Sequence, residues 1–122
     1  MALKFVVGLF ESKGIAEDAV NRLKTEGVPA REISLRVLHE TTAGVPATMT
    51  PEIEALEVDP FVIGDVRESY APYIHNGETA LFVRTRDEAE VDLAVATIRL
   101  FAPVKIRVVA GGEGTPLGHD VL

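Results

Sequence analysis

Residues 3–37 read LKFVVGLFESKGIAEDAVNRLKTEGVPAREISLRV, and the order of polar and apolar positions within them decides the fold. Two periods meet at Glu11. Before it, Leu3, Phe5, Val7 and Leu9 alternate with Val6 and Phe10, the period of two that belongs to a strand. After it, Ala16, Ala19, Val20 and Leu23 recur at helical spacing and make one apolar stripe. Ser12 stands at the junction as the predicted N-cap, because its hydroxyl can accept from a backbone N–H that the helix start leaves unpaired. Gly27 sits where a left-handed helix end is wanted, and Pro29 prevents the helix from resuming. Ile33, Leu35 and Val37 then alternate with Ser34 and Arg36, which predicts a half-exposed strand.

The same order returns over residues 76–109. An Asn76-Gly77 turn opens a strand with Leu81 and Val83 on one side and Phe82 on the other. Asp87 caps the next helix, with Glu90 three residues on as the partner in a capping box. Val91, Ala94, Val95 and Ile98 form its buried stripe, and Pro103 ends it. Val104, Ile106 and Val108 close the pattern against Lys105 and Arg107.

Two β-α-β halves, each helix with a single apolar stripe, predict an α+β, ferredoxin-like βαββαβ domain. The expectation is a four-stranded antiparallel sheet with both helices on one face and the first and third strands adjacent at its centre. Arg36, Arg84, Arg86, Lys105 and Arg107 are expected on the other face or at the sheet's ends, a face left largely wet unless a partner caps it. The domain is read as residues 1–110 with an insertion at about 39–76. Within the insertion, TPEIEALE at residues 50–57 is read as a short helix capped by Thr50, and residues 64–77 as a second one bent at Pro72. Residues 111–122, with four glycines, are read as a flexible tail.

Bulk composition narrows the function classes. At 47% hydrophobic and 25% charged residues the 122-residue chain is globular and long enough to fold on its own core. With no cysteine, disulfides, thiol chemistry and cysteine-held zinc are excluded, which fits a reducing, cytoplasmic setting. A net charge of −7 argues against nucleic acid, whose binding needs clustered Lys and Arg. No run of about 18 apolar residues exists to span a membrane. Residues 39–64 carry Glu40, Glu52, Glu54, Glu57 and Asp59 and no Lys or Arg, so this segment holds −5 of the −7. It is either a solvated excursion or a docking surface for a basic protein partner.

VVGLFESKGIAEDAVNRLKTEGVPAREISL (residues 6–35) and ESYAPYIHNGETALFVRTRDEAEVDLAVATIRLFAPVKIRVV (residues 68–109) resemble the bacterial general stress, or heat-induced stress, protein domains. The resemblance covers nearly all of the chain except the middle of the insertion and the tail. It implies a small α+β domain associated with stress responses and brings no established reaction or catalytic residues with it.

Candidate sites are few. Glu11-Ser12-Lys13-Gly14 lacks the paired glycines and following Lys-Ser/Thr of a phosphate-cradling loop, so it offers at most N–H groups and one lysine to an anion, and is first of all a turn. His39, His75 and His119 form no helical metal pair. Tyr70 and Tyr73 lie three apart on a predicted helix near His75, either as an anchor over the sheet edge or as a ligand pocket. Ser12, Lys13, Gly14, Tyr70, Tyr73 and His75 are therefore the candidate ligand-binding residues. No catalytic residue, metal or cofactor is assigned. The leading expectation is a stress-associated interaction or regulatory domain without catalysis that forms a homo-oligomer. A small-molecule-binding sensor is the alternative, as is an enzyme in a dimer cavity built on Phe82, Arg84 and His75.

Overall fold

Each element begins where the sequence supplies a reason for it. In the computed structural model, which describes residues 4–39, 48–54, 58, 60–110 and 119–121, β1 (Lys4–Phe10) leads into α1 (Lys13–Thr25) through Ser12. The Ser12 hydroxyl accepts from the Ile15 N–H at 3.3 Å, as expected of the N-cap. α1 ends at Gly27, whose φ of +102° is the left-handed conformation that favours glycine. The Gly27 N–H reaches the Lys24 carbonyl at 3.1 Å and the Val28 N–H reaches that of Leu23 at 2.9 Å, the paired bonds of a Schellman turn. A 3-10 turn, Ala30–Glu32, delivers the chain into β2 (Ile33–His39).

Between the halves lie β3 (Thr48–Glu54), α2 (Pro60–Tyr70) and a 3-10 turn at Ala71–Tyr73. Then come β4 (Asn76–Thr85), α3 (Glu88–Arg99), β5 (Lys105–Ala110) and β6 (His119–Asp120). Asp87 caps α3 by accepting from the Glu90 N–H at 2.9 Å. The Glu90 carboxylate returns to the Arg86 N–H at 2.8 Å, one residue upstream of the cap itself.

One antiparallel sheet joins the strands in the order β3-β2-β4-β1-β5-β6, with β1 beside β4 as expected of the first strands of the two halves. The sheet has six strands rather than the four expected, because β3 and β6 extend it at either rim. Residues 48–54 form a strand where a helix over residues 50–57 was expected; residues 55–57 lie outside the described residues. Pro51 is compatible with both readings, since a proline suits a helix's first turn and also an outermost strand. Pairing to β2 decides the outcome, with a register shift at Leu35/Arg36 that absorbs one residue of β3. Of the expected flexible tail, His119–Asp120 pairs with β5, while residues 111–118 and 122 lie outside the described residues.

Two apolar cores lie on opposite sides of the sheet. Phe10, Leu23, Leu35, Leu81 and Ile98 pack in the first, between the sheet and α1 with α3. α3 comes close to the sheet at Gly8, where an added Cβ would stand 2.8 Å from Ile98 Cγ2. Phe5, Val7, Leu9 and Phe82 pack in the second, against Val62, Val66 and Tyr70 of α2. The expectation of helices on one face only is thus corrected: α2, from the insertion, covers the other. The argument for self-association through an open sheet face falls with it, since burying Val62 and Val66 there already stabilises the fold by about 1.5–3 kcal/mol per side chain. Of the basic residues expected on a wet face or at the sheet's ends, Lys105 and Arg107 fasten this layer instead. Arg107 pairs with Asp65 of α2, and the Lys105 ammonium lies 5.2 Å from the centre of the Tyr73 ring. Among the described residues no helix is long and apolar enough to cross a membrane.

Candidate functional site

A polar cleft opens at one end of the sheet. β2 and β4 are in register from Ile33 opposite Val83, so Glu32, just before β2, and Arg84, one step further along β4, come to the same level. Glu32 is only 5% exposed. Its carboxylate takes a two-pronged bond from Arg84, Nε to Oε2 at 2.6 Å and Nη2 to Oε1 at 3.1 Å. The Arg86 Nη2 adds a third bond to Oε1 at 3.2 Å, and the Arg31 Nε stands 3.7 Å from the same oxygen. A buried carboxylate needs this company, because an unpaired one would neutralise rather than stay charged. The hydrogen-bonded Arg84 guanidinium, with Arg86 and Arg31 beyond it, holds the Glu32 carboxyl below the usual range against the opposing pull of burial. Arg84 is held above its ordinary value by the same bond.

Around this cluster lies a cleft of about 250 Å³. The turn after α1 supplies Glu26, Val28 and Pro29; the end of β4 supplies Val83 and Arg84; the start of α3 supplies Glu90 and Leu93, with Arg86 between. Arg86 retains 56% of its side-chain exposure and makes a single bond to Glu32, so its guanidinium is available to a ligand. Glu90 is exposed and engages the Arg86 N–H through Oε1, while Glu26 pairs with Arg22 on the helix surface. Both signs of charge therefore stand around an apolar floor.

A second polar cluster fastens the α2 layer. Arg107 of β5 grips Asp65 with Nε and, at 3.1 Å, Nη2, and reaches Asp120 of β6 at 2.9 Å. These bonds raise Arg107 further above its ordinary value. Nearby, Tyr70 is 1% exposed and donates to the Val7 carbonyl at 2.7 Å. Burial, aided by Asp120 and Asp65 and opposed by Arg107, pushes its hydroxyl well up, so it remains a donor. Every group here has an internal partner, which marks a clamp between layers rather than an open site.

The candidate residues from the sequence are scattered. Ser12 caps α1; Gly14 lies in the first turn of that helix, where an added Cβ would meet the Ser12 hydroxyl at 4.0 Å; Lys13 is its first residue. Tyr70 and Tyr73 do not share a helical face, because α2 ends at Tyr70 and the following 3-10 turn re-aims Tyr73, which is 38% exposed. His75 is exposed on the turn before β4, where its N–H donates to Glu78 at 2.9 Å. Phe82 is fully buried against α2, so of Phe82, Arg84 and His75 only Arg84 lines the cleft. His119 is exposed on β6, and the side chain of His39 lies outside the described residues, as do Glu40, Glu57 and Asp59 of the acidic segment. Sequence reasoning missed the Glu32–Arg84–Arg86 cluster. Its trace was an Arg-x-Arg at the end of one strand and a glutamate just before another, residues whose meeting depends on strand order.

Fold and cleft together define a small α+β domain: one antiparallel sheet with helices on both faces and a charged cleft at its end. No family model, curated protein sequence or solved structure matches the chain.

Proposed function

We propose that this chain is a small-ligand-binding regulatory domain, with its ligand in the cleft beside Glu32, Arg84 and Arg86. The observation that carries the reading is a preformed cleft where two arginines converge on a buried carboxylate and one of them, Arg86, stays more than half exposed. A fixed guanidinium beside apolar lining is the usual make-up of a site that orients a small molecule. We also read the strand order β2-β4-β1-β5 as a ferredoxin-like core, to which the insertion adds β3 and α2. The stress-associated setting rests on the sequence resemblance alone. Native mass spectrometry of gently purified protein tests the binding reading. The expected result is a reproducible bound small molecule that is lost in Arg86→Ala. A bare mass in both proteins, with no shift in melting temperature from a panel of small metabolites, would overturn it.

A further inference from the structure

The lining of the cleft specifies more than an affinity for anions. Resting on the small-ligand reading above, we infer that the ligand is a small zwitterion: one carboxylate and one ammonium group on a short apolar body.

Charges of both signs line the cleft. Arg84 is committed to Glu32 through two bonds, so its positive charge is answered within the protein. Arg86 uses one N–H on Glu32 and is more than half exposed, which leaves guanidinium donors to receive a carboxylate. Opposite in sign, Glu90 and Glu26 also line the cleft; Glu26 has its charge answered by Arg22, while Glu90 is the nearer match to Arg86, from whose backbone N–H it accepts. A simple dianion would meet the Glu90 carboxylate as well as Arg86 and be repelled; a simple cation would meet Arg86. A molecule carrying both signs satisfies the whole rim. Apolar Val28, Val83 and Leu93 supply the floor for a short side chain. At about 250 Å³ the cleft is smaller than the roughly 300–1,000 Å³ of drug-sized sites, which restricts the occupant to a small metabolite.

The test is a melting-temperature and calorimetric titration of the full chain with three matched probes. These are a branched aliphatic α-amino acid, the carboxylic acid lacking its amino group and the amine lacking its carboxylate. Only the zwitterion should raise the melting temperature and give a binding isotherm. Arg86→Ala should weaken it about 10- to 100-fold, the worth of one charge-assisted hydrogen bond. Glu90→Gln, which keeps an acceptor for the Arg86 N–H, should weaken the zwitterion and leave the acid probe unaffected or improved. If the acid alone binds as well as the zwitterion, the ligand class is wrong while the cleft remains a binding site. A molecule without an amine, found in the cleft by native mass spectrometry, would overturn the ligand class in the same way. If neither the probes nor any purified adduct is seen, both readings fail together.

Discussion

Replacing Glu32 by glutamine keeps the side-chain shape, removes the charge and exchanges one acceptor oxygen for an amide that faces a guanidinium. Arg84 then loses one of its two bonds, and Arg86 and Arg31 lose the charge that drew them together. Removing one partner of a fully buried pair costs about 3–5 kcal/mol. Arg84 keeps 30% of its side-chain exposure, so water recovers part of that, and the expected loss for Glu32→Gln is about 2–3 kcal/mol. At roughly 4 °C per kcal/mol for a domain of this size, the melting temperature falls by about 8–12 °C. The assay is urea unfolding followed by circular dichroism, within double-mutant cycles against Arg84→Met and, separately, Arg86→Met. Coupling to Arg84 should be about 2 kcal/mol. Coupling to the more exposed, singly bonded Arg86 should stay below about 1 kcal/mol. A Glu32→Gln protein within about 0.5 kcal/mol of the parent, or equal coupling to the two arginines, would refute the view that a two-pronged buried pair organises this end of the sheet.

The same carboxylate sets a pH dependence. Because its folded pKa lies below the unfolded value, its stabilisation is present above the ordinary glutamate pKa of about 4.3 and is lost as pH falls through the folded value. The stability gap between parent and Glu32→Gln should therefore be full at neutral pH and close on acidification; a gap that widens in acid reverses the sign and the argument. Gly8→Ala should destabilise by about 1–3 kcal/mol, since the new methyl would stand 2.8 Å from Ile98 Cγ2. Combining it with Ile98→Ala should lose less than the sum of the two, as measured by thermal unfolding. Tyr70→Phe removes a buried 2.7 Å bond to the Val7 carbonyl and should destabilise by about 1 kcal/mol, with faster amide exchange in α2; unchanged exchange there would separate the phenol from the docking of that helix.

Local chemistry was legible where one residue type has one physical use. Ser12, Asp87 and Gly27 announced helix ends because a hydroxyl, a carboxylate and a missing Cβ each suit one terminal geometry. The insertion was harder for two separate reasons. Pro51 and Thr50 satisfy the start of a helix and an outermost strand alike, and only the presence of β2 alongside selects between them. The stripe of Val62, Val66 and Tyr70 shows that α2 buries one side, yet no helix states which side of a sheet will receive it. A clue did exist in β1. Residues 5–10 contain no polar side chain, the pattern of a strand buried on both faces, whereas a half-wet strand alternates. Such a run asks for a second covering layer. The cleft stayed hidden because Glu32 and Arg84 are 52 residues apart, joined only through the pairing of β2 with β4.

Pro51 has a bearing on how copies of this chain behave in company. β3 is an outermost strand, and such a rim offers a row of amides to any neighbour able to extend the sheet. Where Pro51 falls the row has no hydrogen to give, so an incoming strand cannot zip along it without interruption. At the opposite rim, among the described residues, β6 pairs with Arg107 and Val108 of β5. The β3 rim therefore carries its own guard against fibrous stacking.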